Sequence, residues 1–287
     1  MSSQHLFPVY SQYMLNGLAL NPAYAGSRDV FNITLGYRNQ WVGFDGAPVS
    51  QTLSAHTPMR NENIALGLFL QNEKIDVRSN TSLYFNYAYR LPLGEGRLAL
   101  GLKGGLMSRN VNWNRITVHD PGDVVFQEPA RKDLIPNFGF GIYYYTNRYF
   151  IGASIPFFLS DSTRNARSVQ YHDFRDYNYL ITGGVVIGSG DLKAKPSLLL
   201  KYNQRNPFQI DLNLSFIFRD LIWLGASYRK ENALVGLMKI QLNDRFRIGY
   251  TYDYTLGKLS NYNSGSHEIV LIYDFRFRVS AVNPRYF

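Results

Sequence analysis

Apolar and polar residues alternate one by one along most of the chain. Phe31, Ile33, Leu35 and Tyr37 share one parity, and Asn32, Thr34, Gly36 and Arg38 the other. The same rhythm returns in Leu83, Phe85, Tyr87, Tyr89 and Leu91, in Phe208 to Phe216, in Phe246 to Tyr254 and in Ile269 to Phe277. A period of two is the signature of a strand whose faces meet different surroundings. About fourteen such segments follow one another, each roughly ten residues or longer, the length that a tilted strand needs to cross a bilayer. No segment carries a helical period.

A soluble sheet also alternates, with its polar face in water, but its strands are usually shorter, around five or six residues. Here the apolar face repeatedly ends in Tyr, Trp or Phe, the residues that suit a membrane–water interface. The other face carries glycines and charges in mid-strand. The pattern therefore predicts an all-β fold, a transmembrane antiparallel β-barrel of about fourteen strands in a bacterial outer membrane, with a soluble β fold as the alternative.

The connections add a second rhythm. Turns near Asn61, Glu95, Asn147, Gly190, Asp220 and Asp244 are short. The long connections, Asn112 to Ile135, Phe157 to Arg175 and Gly257 to Ser266, all fall in the opposite series. Short periplasmic turns and longer outer loops are the habit of outer-membrane barrels, and an even strand number puts both termini in the periplasm. The expected division is a lead-in over residues 1–29, periplasmic or lumenal, and a barrel over residues 30–287. Such a barrel implies export, so a removed signal peptide is expected.

Composition narrows the chemistry. Aromatics make up 15% of the 287 residues and cysteine is absent, which excludes a disordered chain and any Cys-ligated metal or cluster. No window of about eighteen residues is continuously apolar, which argues against a transmembrane helix. His5, His56, His119, His172 and His267 show no metal-ligand spacing. The neighbours His119-Asp120, His172-Asp173 and His267-Glu268 point to opposite faces of an extended chain, so they form no catalytic dyad alone. No cofactor, metal or catalytic residue is expected.

The net charge of +9 could suggest nucleic acid. But parity places Arg90, Lys103, Arg109, Lys201, Arg229, Lys239, Arg245, Arg247, Arg276 and Arg278 on the inward face, together with Asp211, Asp253, Glu268 and Asp274. An ion-paired lumen and an anion-preferring pore both fit this set, and nucleic acid is not expected. Inward Tyr84, Tyr143, Tyr145 and Phe150 would obstruct a pore. Glycines around Gly101 relieve crowding inside the barrel.

The N-terminal stretch is not barrel-like. Ser11-Gln12-Tyr13-Met14, then Asn21-Pro22-Ala23-Tyr24-Ala25-Gly26-Ser27, then Tyr37-Arg38-Asn39-Gln40-Trp41, follow in order, with Gln51-Thr52-Leu53-Ser54-Ala55-His56 behind them. This succession resembles the PorP/SprF family of outer-membrane proteins, over nearly the whole chain. The resemblance implies a part in type IX secretion or gliding motility, with type IX components and a secreted adhesin bearing a C-terminal secretion domain as partners. It implies binding and export rather than catalysis, in contact with outer-membrane lipid and lipopolysaccharide. A passive or substrate-specific porin is the alternative, and a hydrolase at the rim a third. Asn21-Pro22 favours a turn and Gly26 permits a positive φ. The segment around them either seals the barrel floor or docks a partner.

Overall fold

Fourteen antiparallel strands close on themselves in the computed structural model, which describes residues 15–112, 131–164, 167–171, 174–204, 206–230 and 232–275. The wall begins with β1 (Phe31–Asn39), β2 (Val49–Pro58), β3 (Ile64–Ile75), β4 (Arg78–Leu93), β5 (Gly96–Val111), β6 (Arg131–Tyr145) and β7 (Tyr149–Ile155). A separate hairpin, β8 (Ser160–Arg164) with β9 (Arg167–Tyr171), interrupts it. The wall resumes with β10 (Tyr179–Val185), β11 (Leu192–Asn203), β12 (Asn206–Phe218), β13 (Ile222–Arg229), β14 (Ala233–Gln241), β15 (Phe246–Thr255) and β16 (Ser266–Phe275). β1 pairs with β16 from Phe31↔Phe275 to Asn39↔His267, so no edge is left open.

Burial follows the parity. Leu35, Leu66, Leu100, Leu212, Leu234 and Ile269 are exposed on the outer face, while Thr34, Ala65, Ala99, Asp211, Val235 and Val270 are buried inside. An apolar exterior over a polar interior inverts the soluble arrangement and is stable only in lipid. Leu212→Arg, at an outer position 52% exposed, should therefore cost about 2–4 kcal/mol of folding into lipid vesicles. Urea titration of vesicle-folded protein measures this, and an unchanged midpoint would contradict the facing.

One rim collects the connections 59–63, 94–95, 146–148, 186–191, 219–221 and 242–245. At the opposite rim β1 is joined to β2, β3 to β4, β5 to β6, β7 to β10, β11 to β12, β13 to β14 and β15 to β16. These are called below the short-turn rim and the long-loop rim; β1 starts and β16 ends at the former. Two long connections differ from the sequence expectation. β6 begins at Arg131, because Arg131, Lys132 and Asp133 pair with Val111, Asn110 and Arg109 on β5 although their charge reads as loop. The connection read as a loop from Phe157 contains the β8–β9 hairpin, whose polar residues give no apolar alternation. Residues 113–130, 165–166 and 172–173 of these connections, with His119 and His172, lie outside the described residues, as do Ser11 to Met14, Arg276 and Arg278.

Candidate functional site

The lumen is filled from the N-terminal side. Residues 15–29 precede β1 and fold inside the barrel, with short 3₁₀ turns at Gly17–Ala19 and Pro22–Tyr24. Leu18, Ala23, Tyr24 and Ala25 are buried against Ala65, Ala88, Ala99, Tyr143 and Tyr145 of the wall. Ala19 and Leu20 join Phe69, Tyr84, Leu180 and Leu199, and Leu15 meets Val270 and Ile272. This plug touches both sides of the lumen.

Its seating explains the motif residue by residue. Pro22, with φ fixed near the helical value, opens the second turn. The Asn21 side chain caps that turn, its Oδ1 accepting from the Ala23 N–H at 2.9 Å. Its Nδ2 donates to the carbonyls of Ile142 at 3.0 Å and Ala153 at 3.3 Å. The wall opposite is bare. A Cβ on Gly101 would stand 2.1 Å from the Ala23 nitrogen, and one on Gly141 2.1 Å from Asn21 Oδ1. The Tyr24 ring meets His56 and Tyr143 edge-on, with centroids 5.5 and 5.6 Å away. Gly26 takes φ +74°, and its N–H donates to His56 Nδ1 at 3.2 Å.

Arg90 on β4 locks the end of the plug. Its side chain is fully buried, and Nη1 donates to the Gly26 carbonyl and to Asp29 Oδ1, both at 2.6 Å. The same nitrogen reaches the Tyr145 hydroxyl at 3.3 Å, and Nη2 reaches the Glu62 carbonyl. One planar guanidinium thus ties the plug to β4, β6 and a short turn.

The opposite wall carries an ion network nearer the long-loop rim. Arg38 on β1 meets Asp253 on β15 at 2.7 Å and Glu268 on β16 at 3.0 Å. Arg229 on β13 meets Asp211 on β12 at 3.3 Å and Asp253 at 3.5 Å. Toward the short-turn rim, Asp274 binds Arg247, Arg28 at 3.8 Å and the Asn32 amide at 2.7 Å. Low dielectric strengthens such pairs, and removing one partner strands the other. The network links β1 across the closing seam to β16 and, beyond it, to β15, β13 and β12.

Lys103 and Lys239 meet rings. Lys103 Nζ lies 4.0 Å from the centroid of Phe157, in the connection after β7, and 4.7 Å from that of Tyr84. Lys239 Nζ lies 3.5 Å from that of Trp223. Arg109 and Lys201 are half-buried on β5 and β11. Arg245, placed inside by its parity, is instead exposed in the turn before β15. There its N–H and that of Phe246 donate to Asn243 Oδ1 at 2.9 Å, so the strand and its parity begin one residue later. Among the motif residues, Asn39 ends β1, Gln40 is buried, and Trp41 takes φ +45° where its N–H donates to Ser266 Oγ at 3.1 Å. His267 and Glu268 separate: His267 Nδ1 lies 2.7 Å from the Tyr250 hydroxyl on the outer face, and Glu268 turns inward. No group of three His, Asp or Glu among the described residues could hold a metal. The sequence reading missed Lys195, Arg28 and His56; for Lys195 the parity it shares with Lys201 on β11 was a usable signal.

A plugged fourteen-strand barrel with this N-terminal motif matches the family model for type IX secretion system membrane protein PorP/SprF over residues 2–273. The chain belongs to the PorP/SprF family. Solved structures agree on the fold. The CymD monoaromatic hydrocarbon channel is 12% identical with a TM-score of 0.54, covering 94% of each chain. The TodX deltaS2S3 mutant, also a monoaromatic hydrocarbon channel, is 10% identical with a TM-score of 0.50, covering 91% of this chain and 94% of that one. No curated protein matches the chain. This PorP/SprF member is an outer-membrane β-barrel of the type IX secretion system, a family associated with the other secretion components.

Proposed function

We propose that this PorP/SprF protein supports type IX secretion by binding, as a closed barrel that holds a secreted adhesin through the adhesin's C-terminal secretion domain. The observation that carries the reading is the plug: residues 15–29 occupy the lumen and are bonded to the wall from β2 to β7. A lumen so filled gives a folded domain no passage, and it leaves the rims as working surfaces. The protein is not an enzyme in this reading.

Both ends of the barrel sheet lie at the short-turn rim, which we assign to the periplasm by the habit of such barrels. The long-loop rim then faces outward, among lipopolysaccharide. Asp45→Cys, exposed in the connection 40–48, should label on intact cells with an impermeant maleimide, and Glu95→Cys in a short turn should not. The reverse pattern would invert the orientation.

Loops on a rigid scaffold are where binding specificity is usually built. Deleting residues 113–130 should leave the barrel assembled, since β5 and β6 already pair up to Val111↔Arg131. It should release adhesin from the cell surface into the medium. If adhesin stays on the cell while the shortened barrel assembles, docking belongs instead to the N-terminal segment from Tyr10 to Arg28, acting from the periplasm. The second reading, a substrate-specific porin, is favoured by the basic lumen and requires the plug to leave.

A further inference from the structure

Where the plug meets the wall of β11 to β16, cations gather. Lys195 on β11, Lys239 on β14 and Arg247 on β15 all face inward and are more than nine-tenths buried. Arg28, at the end of the plug, is buried among them. Lys239 on β14 lies two positions from Gln241, the direct partner of Arg247 on β15, and Arg247 and Arg28 both reach Asp274. The carboxylate of Asp220, in the turn before β13, is held by Lys193 at 2.8 Å. Asp274 is engaged by Arg247 and Asn32 and lies 3.8 Å from Arg28.

Two donors in this group make no hydrogen bond to the protein, and the indole N–H of Trp223 is fully buried. Lys239 Nζ rests on the face of Trp223, which offers no hydrogen-bonding oxygen. Trp223 Nε1–H is buried without a partner. The two residues are direct cross-strand partners on β13 and β14. Buried donors and like charges without acceptors are unfavourable in a low-dielectric interior. A tetrahedral oxyanion reverses the sign of the arrangement, since ammonium, guanidinium and indole N–H are all donors to oxygen.

We propose that this cluster binds a small oxyanion of the phosphate class, bridging Arg28 of the plug to Lys239 and Trp223 of the wall. The bound anion fastens the plug to the side of the lumen opposite the glycine seat. The site does not depend on the adhesin reading.

The test uses the full chain folded in uncharged, phosphate-free micelles, so that a lipid headgroup is not a source of phosphate. Thermal unfolding is followed in sodium phosphate and in sodium chloride at equal ionic strength and pH. Phosphate should raise the midpoint by several degrees and saturate in the millimolar range, while chloride should not. Lys239→Met should abolish the phosphate-dependent rise. Trp223→Phe keeps the ring under Lys239 and removes only the N–H, so it should fold and should weaken half-saturation several-fold. An equal rise in chloride, or a full phosphate rise in Lys239→Met, would overturn the site. Should Lys239→Met not fold, an unchanged half-saturation in Trp223→Phe would overturn it instead.

Discussion

Gly101→Val should leave a barrel that assembles with its plug unseated. Gly101 faces inward on β5, and a Cβ there would lie 2.1 Å from the Ala23 nitrogen, 2.4 Å from its Cα and 2.5 Å from the Pro22 carbonyl carbon. All three are backbone atoms of a turn that Asn21 already fixes to β6 and β7, so no rotamer change relieves the contact. Overpacking of this kind costs about 1–3 kcal/mol in yielding cores, and the upper end, about 3 kcal/mol, is expected here. The β5 ladder itself is untouched, because the strands tolerate a β-branched residue well. Trypsin should then cut after Arg28 in micelle-folded Gly101→Val and spare it in the unaltered protein, where that side chain is buried. Gly104→Val is the control: its Cβ would meet only the Phe138 ring on the outer face, at 3.5 Å. Equal protection of Arg28 in both variants would show that the glycine seat does not hold the plug.

Arg90→Met should produce the second large loss. The methionine fills part of the volume but takes the guanidinium away from the Gly26 carbonyl, which keeps the Asp29 N–H at 2.9 Å, from the Glu62 carbonyl, which keeps Arg97 Nη1 at 3.4 Å, and from the Asp29 carboxylate. Breaking a buried pair costs about 3–5 kcal/mol. Asp29 is 29% exposed and keeps some water, so the lower end, about 3 kcal/mol, is the expected loss in urea titration of the lipid-folded protein. Arg90→Lys should recover only part of it, because one ammonium cannot address both carbonyls and a carboxylate from a planar fork. A loss under about 1 kcal/mol for Arg90→Met would mean that the guanidinium is not a latch.

The barrel was legible because a period of two survives fourteen strands, each with lipid on one side and the lumen on the other. Turn lengths were legible for the same reason, since each strand must end where the lipid ends. Arg245 shows the limit of parity: it lies two residues before Arg247, yet a turn held by Asn243 separates it from the strand. The β8–β9 hairpin escaped because short polar strands outside the bilayer need no apolar face.

The plug was visible as a motif and invisible as a position. Asn21 finds its acceptors 121 and 132 residues away, on β6 and β7. Its seat is a set of small residues, Gly101, Gly141, Ala65, Ala88 and Ala99, spread over four strands. Each alone reads as strand glycine or alanine; only closure of the sheet brings them to one place. His56 is a similar case, since its role as acceptor for the Gly26 N–H depends on a chain segment thirty residues upstream folding back inside.

The central claim is that the protein works with its lumen shut by its own N-terminal segment. Single-channel recording in planar lipid bilayers tests it most directly, comparing the intact chain with one lacking residues 1–29, which end before β1 begins at Phe31. The account predicts no steady conductance steps from the intact protein and discrete, stable steps from the shortened one. Stable open steps of equal size from both would contradict it, and would make the protein a porin.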